Sequence, residues 1–200
     1  AEGQAKRVPD IATIRAGVVT QAPTAAAALS ANAAQMARVL AALKAAGVAE
    51  RDTQTATISL NPQYRYAENQ PPAITGYQAS NSVSVKFRDI ARSGGILDAL
   101  VRQGANQIDG PNLSIDGIEA ARDEARVDAI KRARARADLY ARALGMQVER
   151  LVSVSEAQDG GAPGPMPMPM MVRAQAKDAT EIAPGEQQVG VSVRVRFVLR

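Results

Sequence analysis

The segment from Ile74 to Asp116 constrains the fold more than any other part of this 200-residue chain. Apolar residues alternate with polar ones from Ser82 to Phe87, which is typical of a strand with one buried face. A helical pattern from Asp89 to Gly104 follows directly, and Gln107 to Ile118 returns to extended structure. This close succession of strand, helix and strand favours a mixed α and β fold.

The remaining elements are read from the same periodicities. Alternating or β-branched runs predict strands over Ile11 to Gln21, Thr53 to Tyr66 (with a break at Pro62), Val148 to Glu156 and Gln187 to Arg200. Alanine-rich runs predict helices over Ala25 to Ala46, with Thr24 as the cap, and Glu119 to Leu144. The inner face of the second long helix is predicted to consist of Val127, Ile130, Ala133, Ala137, Tyr140 and Leu144.

The order of these elements indicates an internal duplication. Strand, long helix, strand, Pro-rich loop and strand occur from about residue 11 to 87, and again from about 107 to 200, with the helix at 89–104 between them. We therefore predict an α+β fold of two βαββ halves, in which long Ala-rich helices pack on antiparallel sheet. Residues 1–200 are predicted to form a single domain, with a Pro- and Met-rich loop at 159–172.

Composition argues against most catalytic chemistry. The chain contains no Cys, no His and no Trp. Thiol nucleophiles, zinc sites built from Cys or His, and Ser-His-Asp triads are therefore excluded. Asp123 and Glu124 are adjacent and point to different sides of a helix, and GGAPGP lacks the residues of a phosphate-binding loop. We predict no enzyme, no catalytic residue and no cofactor.

The Pro- and Met-rich loop contains the one candidate metal site. Met166, Met168, Met170 and Met171 place four thioethers in six residues, and soft sulfur suits Cu(I). Methionines also absorb oxidants reversibly, and they dock on apolar surfaces of other subunits. A simple linker explains the segment as well, so these alternatives stay open.

The basic helix does not predict nucleic-acid binding. Asp128 with Arg132 and Asp138 with Arg142 have the i,i+4 spacing for local ion pairs, and no aromatic residues interleave for base stacking. A solvated helix face is the simpler interpretation. Attraction to anionic lipid headgroups remains a minor alternative, because the net charge is +4.

The final strand supports self-association. Its apolar residues face one side and Ser192, Arg194 and Arg196 face the other, so a long edge strand is expected that must be paired, covered or guarded by charge. We predict a homo-oligomer with envelope components as further partners.

The beginning of the sequence indicates export. Ala1 is not a Met and small residues follow it, which is typical of a processed product, although a trimmed chain looks the same. A signal peptide is thus expected in the precursor. No apolar run reaches the roughly 18 to 20 residues that a membrane-spanning helix needs.

Five stretches together resemble one bacterial family. They are PDIATIRAGVVTQAPTAAAAL (9–29), TQTATISLNPQY (53–64), GYQASNSVSVKFRD (76–89), GGILDALVRQGAN (94–106) and EARVDAIKRARARADLYARALG (124–145). In this order they resemble the SIMPL-domain family, which includes periplasmic immunogenic proteins and an oxidative-stress defence group. The likeness covers almost the whole chain, and the Pro-Met insertion departs from it.

The resemblance implies an exported, self-associating α+β protein, periplasmic or associated with the outer membrane. It carries over no catalytic residue, because the shared positions look structural: Gly76, Gly104 and Gly110 serve turns or tight packing, and Asn81 and Asn106 bond backbone. The favoured function is a non-enzymatic envelope protein that self-assembles and contributes to oxidative-stress defence or envelope integrity. The alternative is a metal-binding (copper) or ligand-binding module built on the Met-rich loop.

Overall fold

A computed structural model describes residues 1–68, 70–156 and 182–200. The strands are β1 (Glu2–Arg7), β2 (Ile11–Ala22), β3 (Thr53–Arg65), β4 (Ala73–Phe87), β5 (Gln107–Ser114), β6 (Val148–Glu156) and β7 (Gln187–Leu199). The helices are α1 (Ala25–Ala45), α2 (Ile90–Arg102) and α3 (Ile118–Ala143). Helices and antiparallel sheets occur in both of the compact units described below, so the predicted α+β fold is confirmed.

The first compact unit, here the four-stranded unit, comprises Asp10–Ser114 and residues 182–183. Its strands lie in the order β3-β4-β2-β5, and every neighbouring pair is antiparallel. Helices α1 and α2 bury the apolar side chains that point to one face of β2 and β4. The core consists of Ala12, Ile14, Ala16, Val18, Met36, Val39, Leu43, Val83, Val85, Phe87, Leu97, Leu100 and Ala105.

Helix α1 is fixed to this sheet at its first turn and at its middle. The Thr24 hydroxyl accepts a hydrogen bond from the Ala27 N–H at 3.2 Å, which confirms Thr24 as the cap. About two turns after Thr24, the buried Asn32 side chain faces the strands. Leu29 and Leu40 lie outside the buried face, and each is 41% exposed. The buried face of α1 consists of Ala28, Asn32, Met36, Val39 and Leu43.

Strand β3 runs through Pro62 without interruption, so the predicted break is wrong. Pro62 lies opposite Tyr77 of β4. Because β3 is an edge strand, the missing N–H of a proline removes no hydrogen bond from the sheet when it points outward. The irregularities in this pairing fall instead between Thr55 and Thr57 and between Gln63 and Tyr64.

The second compact unit, here the three-stranded unit, comprises Ala1–Pro9, residues 115–156 and Pro184–Arg200. Its strands lie in the order β1-β7-β6, again antiparallel, and α3 packs on β1 and β7. The core is made of small and β-branched residues: Ala5, Ala121, Ala125, Ala129, Val189, Val191 and Val193, with Ile115, Ile118 and Val195 at its margin.

The buried face of α3 differs from the predicted one. The helix buries Ala121, Ala125, Ala129, Ala133 and Ala141, which follow one another at i+4 and i+8. Of the six residues predicted to face inward, Val127, Ile130, Tyr140 and Leu144 are exposed. The reason is distance: β1 presents Gly3 and Ala5 to the helix, and only methyl groups fit between backbones that approach so closely. Bulky residues are therefore excluded from this face.

The two units share one connectivity. In each, a strand, a long helix and two further strands place the last strand at the centre, as β2-α1-β3-β4 and as β1-α3-β6-β7. The predicted second half began with the segment that forms β5, but β5 pairs with β2 in the four-stranded sheet. Strand β1 holds the corresponding place in the second unit. The assignment of residues 1–200 to a single domain stays a prediction.

Candidate functional site

The methionines proposed as metal ligands, Met166, Met168, Met170 and Met171, lie outside the described residues, as does the whole loop at 159–172. In the three described ranges, no group of three or more His, Cys, Asp or Glu side chains has an arrangement that could hold a metal ion. The candidate site is therefore sought on the surfaces and cavities of the two units.

The asparagine of the GAN motif is structural, as predicted. The Asn106 side chain accepts a hydrogen bond from the Val19 N–H at 2.8 Å and donates one to the Val19 carbonyl at 2.8 Å. This pair of bonds extends the pairing of β5 with β2 by one residue, through a side chain. Gly104 adopts a positive φ just after α2, as a turn requires, and Gly110 adopts one inside β5, where a Cβ would lie 3.0 Å from the Thr13 carbonyl oxygen; the prediction of turns or tight packing is confirmed for these two.

Charged side chains on α3 pair with each other and with the neighbouring strands. Arg126 reaches three carboxylates: Glu119, Asp123 and Glu156 of β6, the last at 3.0 Å from Nε. The hydrogen bond with Glu156, followed by that with Asp123, raises the pKa of Arg126 above its ordinary value. Glu124 instead pairs with Arg7 of β1, so the adjacent carboxylates of Asp123 and Glu124 diverge, as predicted.

The predicted i,i+4 pairs on α3 are half confirmed. Arg132 Nε lies 2.9 Å from Asp128 Oδ2. The Asp138 carboxylate pairs with Arg134 rather than with Arg142. Arg142 instead donates a hydrogen bond to the backbone carbonyl of Asp138. Asp128 also accepts a hydrogen bond from the Gln4 N–H at 3.0 Å, which is the main cause of its lowered pKa. The contacts of Asp128 and Glu124 fix α3 against β1.

Strand β6 presents an open apolar edge. One side of β6 pairs with β7, and no other strand of the described residues pairs with its opposite side. Leu151, Val152 and Val154 are each about half exposed, at 51%, 52% and 48%. The five residues from Leu151 to Ser155 include neither a charge nor a proline. This β6 edge is the longest uncharged strand edge of the three-stranded unit.

The final strand is not an edge. The sequence predicted that β7 would need covering, but β7 lies between β1 and β6. The apolar side of β7 does face inward as predicted, with Val189, Val191 and Val193 buried. The prediction of an edge failed because β1 was not recognised as a strand. In EGQAKR the inward residues are Gly3 and Ala5, which give no apolar alternation to detect.

The hairpin of β3 and β4 carries exposed aromatic residues. Tyr64 and Tyr66 are 48% and 76% exposed, and their ring centroids are 6.4 Å apart. Ile58 on the same strand is 66% exposed. An edge strand with little cover on its faces explains why these side chains remain in contact with solvent.

Comparison with known proteins assigns the family. The family model SIMPL, described as a protein of unknown function (DUF541), matches residues 1–197. The chain belongs to the SIMPL family. This SIMPL chain is 38% identical over 206 residues to the 26 kDa periplasmic immunogenic protein of Brucella melitensis, covering 100% of the chain and 82% of that protein. The same name and identity apply to the relative from Brucella abortus.

More distant relatives share part of the chain. The uncharacterized protein YggE of Escherichia coli K12 is 30% identical over 126 residues, which are 63% of the SIMPL chain and 51% of YggE. The Brucella relatives place this SIMPL protein in the periplasm as an exported protein. Among the described residues, no helix has both the length and the apolar character needed to cross a membrane.

Sequence reasoning missed the β6 edge as the exposed apolar surface. The signal was present, since LVSVS is an uncharged run with high β propensity. Whether β6 is an edge strand depends on which other strands pair with β7. That cannot be read from local sequence, because β1, the second partner of β7, lies at the opposite end of the sequence.

Proposed function

We propose that this protein is a non-enzymatic component of the bacterial cell envelope that works by self-assembly in the periplasm. The observation that carries the proposal is the β6 edge, whose free backbone groups and exposed apolar side chains have no partner among the described residues. Edges of this kind serve as templates for pairing with another strand. The β6 edge of a second copy of the same chain is such a strand, and it is always present at the same concentration as the first.

The contrast with the other sheet edges supports the choice of β6. Edge strand β1 carries Glu2, Lys6 and Arg7 within six residues. The edge strands β3 and β5 contain Pro62 and Pro111, respectively. Charges and prolines are the devices by which proteins prevent edge pairing. The centre of β6 has neither, although its register to β7 shifts between Leu151 and Ser153.

Helix α3 adds apolar area in the same unit. Val127, Leu139 and Leu144 are 55%, 57% and 68% exposed. Burial of this area stabilises an oligomer by roughly 25 cal/mol for each Å² removed from water.

Two features support a non-enzymatic role. The chain has no His or Cys, and the adjacent carboxylates of Asp123 and Glu124 pair with different arginines, Arg126 and Arg7.

The contribution of the assembly to the cell is proposed from the family likeness. We expect a role in oxidative-stress defence or envelope integrity, with association at the outer membrane and further envelope components as partners. A deletion strain complemented with the wild-type chain should regain resistance to peroxide or detergent. Complementation by an assembly-deficient variant should fail if assembly is what the cell requires.

Sedimentation velocity at micromolar concentration tests self-assembly. The wild-type chain should sediment as a species heavier than one chain of 21.0 kDa. Val154→Lys places a charge in the β6 edge and should shift the distribution toward monomer. Val8→Lys is the matched control, because Val8 is 57% exposed and lies outside the strands. Wild-type protein that remains monomeric would remove the proposal, and equal effects of both substitutions would remove β6 from it.

The Met-rich loop supports a second candidate function, binding of copper(I) or another ligand. It rests on the spacing of Met166, Met168, Met170 and Met171 alone. Titration with copper(I) should give saturable binding that is lost when these four residues are changed to Leu. Equal binding by the two proteins would eliminate the loop as a metal site.

A further inference from the structure

A cavity of about 290 Å³ in the four-stranded unit collects an excess of positive charge. It lies where the end of α1, the turn at Glu50–Asp52, the end of β4 and the start of α2 meet. Four basic side chains line it, Arg51, Lys86, Arg88 and Arg92, against two carboxylates, Asp52 and Asp89. Like charges so close together raise the free energy of the protein unless an anion compensates them.

One of the four cations is held by a carboxylate within the cavity wall. Arg88 donates to Asp52 through two bonds, Nε to Oδ2 at 3.2 Å and Nη2 to Oδ1 at 3.1 Å. Asp52 is only 8% exposed, so its negative charge is directed at Arg88. The pair is close to neutral and forms a fixed part of the wall.

The other acidic group is also occupied. Asp89 caps α2 by accepting a hydrogen bond from the Arg92 N–H at 3.2 Å. Arg51, Lys86 and Arg92 are exposed, and none of them forms an ion pair within the described part of the chain. These three side chains are therefore the available cations of the cavity.

The cavity floor is apolar. Phe87 is 4% exposed, and Val48 and Ile96 are partly buried against the core. Cationic side chains above an apolar floor face a lower local dielectric than they would in open water, which strengthens attraction to an anion. A volume of about 290 Å³ is at the small end of ligand cavities, so a compact group fits it best.

We propose that this cavity binds a phosphate or phosphate-ester oxyanion through Arg51, Lys86 and Arg92. Arginine donates paired N–H groups to phosphate oxygens and lysine adds a point charge, a combination suited to a doubly charged tetrahedral anion. In the periplasm this chemistry is offered by free inorganic phosphate and by the headgroups of anionic lipids. The site lies in the four-stranded unit and does not depend on the β6 edge.

The test compares two triple variants of the full chain. Arg51→Gln, Lys86→Gln and Arg92→Gln together remove the available cations of the cavity. Arg38→Gln, Arg65→Gln and Arg102→Gln together remove the same charge from exposed positions of the same unit that do not line this cavity. All substituted side chains are exposed, so both proteins should fold, and circular dichroism checks this.

Inorganic phosphate is titrated at constant ionic strength and followed by amide NMR shifts. We expect saturable shifts at residues 46–52 and 86–92 in the wild-type chain and in the control triple variant. Affinity should fall at least about tenfold in the cavity variant, since several charge-assisted contacts are lost. Equal weakening in both triple variants, or shifts spread without saturation, would mean that free phosphate responds only to the overall charge and would exclude the free anion as the ligand.

Vesicles distinguish the two sources of the anion. Flotation is compared on vesicles of phosphatidylcholine and of equal parts phosphatidylglycerol and phosphatidylcholine. Selective loss of flotation in the cavity variant supports the lipid headgroup as the source, with or without a response to phosphate. A phosphate response without flotation supports the free anion. If neither measurement separates the two triple variants, the cavity is not an oxyanion site.

Discussion

Gly3 of β1 lies so close to Ala129 of α3 that a Cβ atom added at Gly3 would stand 2.8 Å from the Ala129 Cα. It would also meet the backbone carbonyl of Ala125 on the same helix. Real Cβ atoms do not approach backbone atoms this closely, so strand and helix are in direct backbone contact. This contact explains why the buried face of α3 is made of alanine.

Gly3→Ala should therefore destabilise the three-stranded unit. The added methyl group must push β1 away from α3, and overpacking of this kind costs about 1–3 kcal/mol. Urea unfolding followed by circular dichroism measures the change in the free energy of unfolding.

Gly190→Ala is the matched control for this substitution. Gly190 lies opposite Gln4 of β1, and a Cβ there would meet only the Glu2 carboxylate, at 3.3 Å, and the Gly3 carbonyl, at 3.9 Å. The Glu2 side chain is free to rotate away, so the control should change stability by less than about 0.5 kcal/mol. Similar losses in both variants would contradict the backbone contact between β1 and α3.

Asn32 should be the most sensitive polar residue of the four-stranded unit. Its Nδ2 donates to the Val18 carbonyl at 2.8 Å and to the Ala79 carbonyl at 3.1 Å, so it joins α1 to β2 and β4. Asn32→Ala removes both donors from a buried site and should cost about 1–3 kcal/mol. Thermal unfolding gives the change.

Asn32→Asp is the sharper test because it preserves the shape of the side chain. A carboxylate would face two carbonyl oxygens in a buried site, and an uncompensated buried charge costs about 3–5 kcal/mol. Burial raises the pKa of such a carboxyl, so the loss should be largest at neutral pH and should shrink as the pH falls. A destabilisation relative to wild type that is the same at neutral pH and in acid would contradict the two-acceptor geometry.

The Asp52–Arg88 pair predicts a loss of stability in acid. The hydrogen bond from Arg88, with the nearby charges of Arg88, Arg51 and Lys86, lowers the pKa of Asp52 below its ordinary value of 3.8. Below that value the unfolded chain takes up the proton before the folded protein does, so acid favours unfolding. The contribution is complete above the unfolded pKa and is lost as the pH falls through the folded pKa.

Urea midpoints at about pH 5 and about pH 3 measure this effect. Asp52→Asn should be less stable than wild type at the higher pH and should lose less on acidification. Asp128 has a lowered pKa as well, so Asp128→Asn serves as the comparison that removes the other contribution. An unchanged acid response in Asp52→Asn would show that the pair contributes nothing to folding.

Substitution by alanine should change stability in opposite directions at two glycines, one inside α2 and one just after it. Gly95 lies inside the helix, and nothing is within 4 Å of a Cβ placed there, so Gly95→Ala should stabilise by about 0.5–1 kcal/mol. Gly104 has a φ of +107°, and a Cβ there would lie 2.7 Å from the Gln35 Cγ. Gly104→Ala should destabilise by about 1–3 kcal/mol. Thermal unfolding of both variants checks the signs.

The sequence predicted most element boundaries because local periodicity decides them. Strand β6 was placed at Val148–Glu156, as observed, and α1 and α3 were placed within one residue at each end. Thr24, Gly47 and Gly145 mark helix ends through local chemistry, which needs no knowledge of the fold.

The errors arise where packing partners are distant in the chain. The inward face of α3 was predicted from bulk, yet Gly3 and Ala5, more than one hundred residues earlier, demand alanine there. Strand β1 was missed for the same reason, and β7 was therefore predicted wrongly to be an edge strand. The candidate metal ligands, Met166 to Met171, and the prediction of no catalytic residue remain untested.

Pairing between Glu2–Arg7 and Gln187–Leu199 also sets an order of events during biogenesis. Because β7 lies between β1 and β6 and follows both in the chain, the three-stranded sheet cannot close until the segment Gln187–Leu199 has emerged. Until then β6 lacks the strand with which it pairs, and its apolar side chains stay open to solvent.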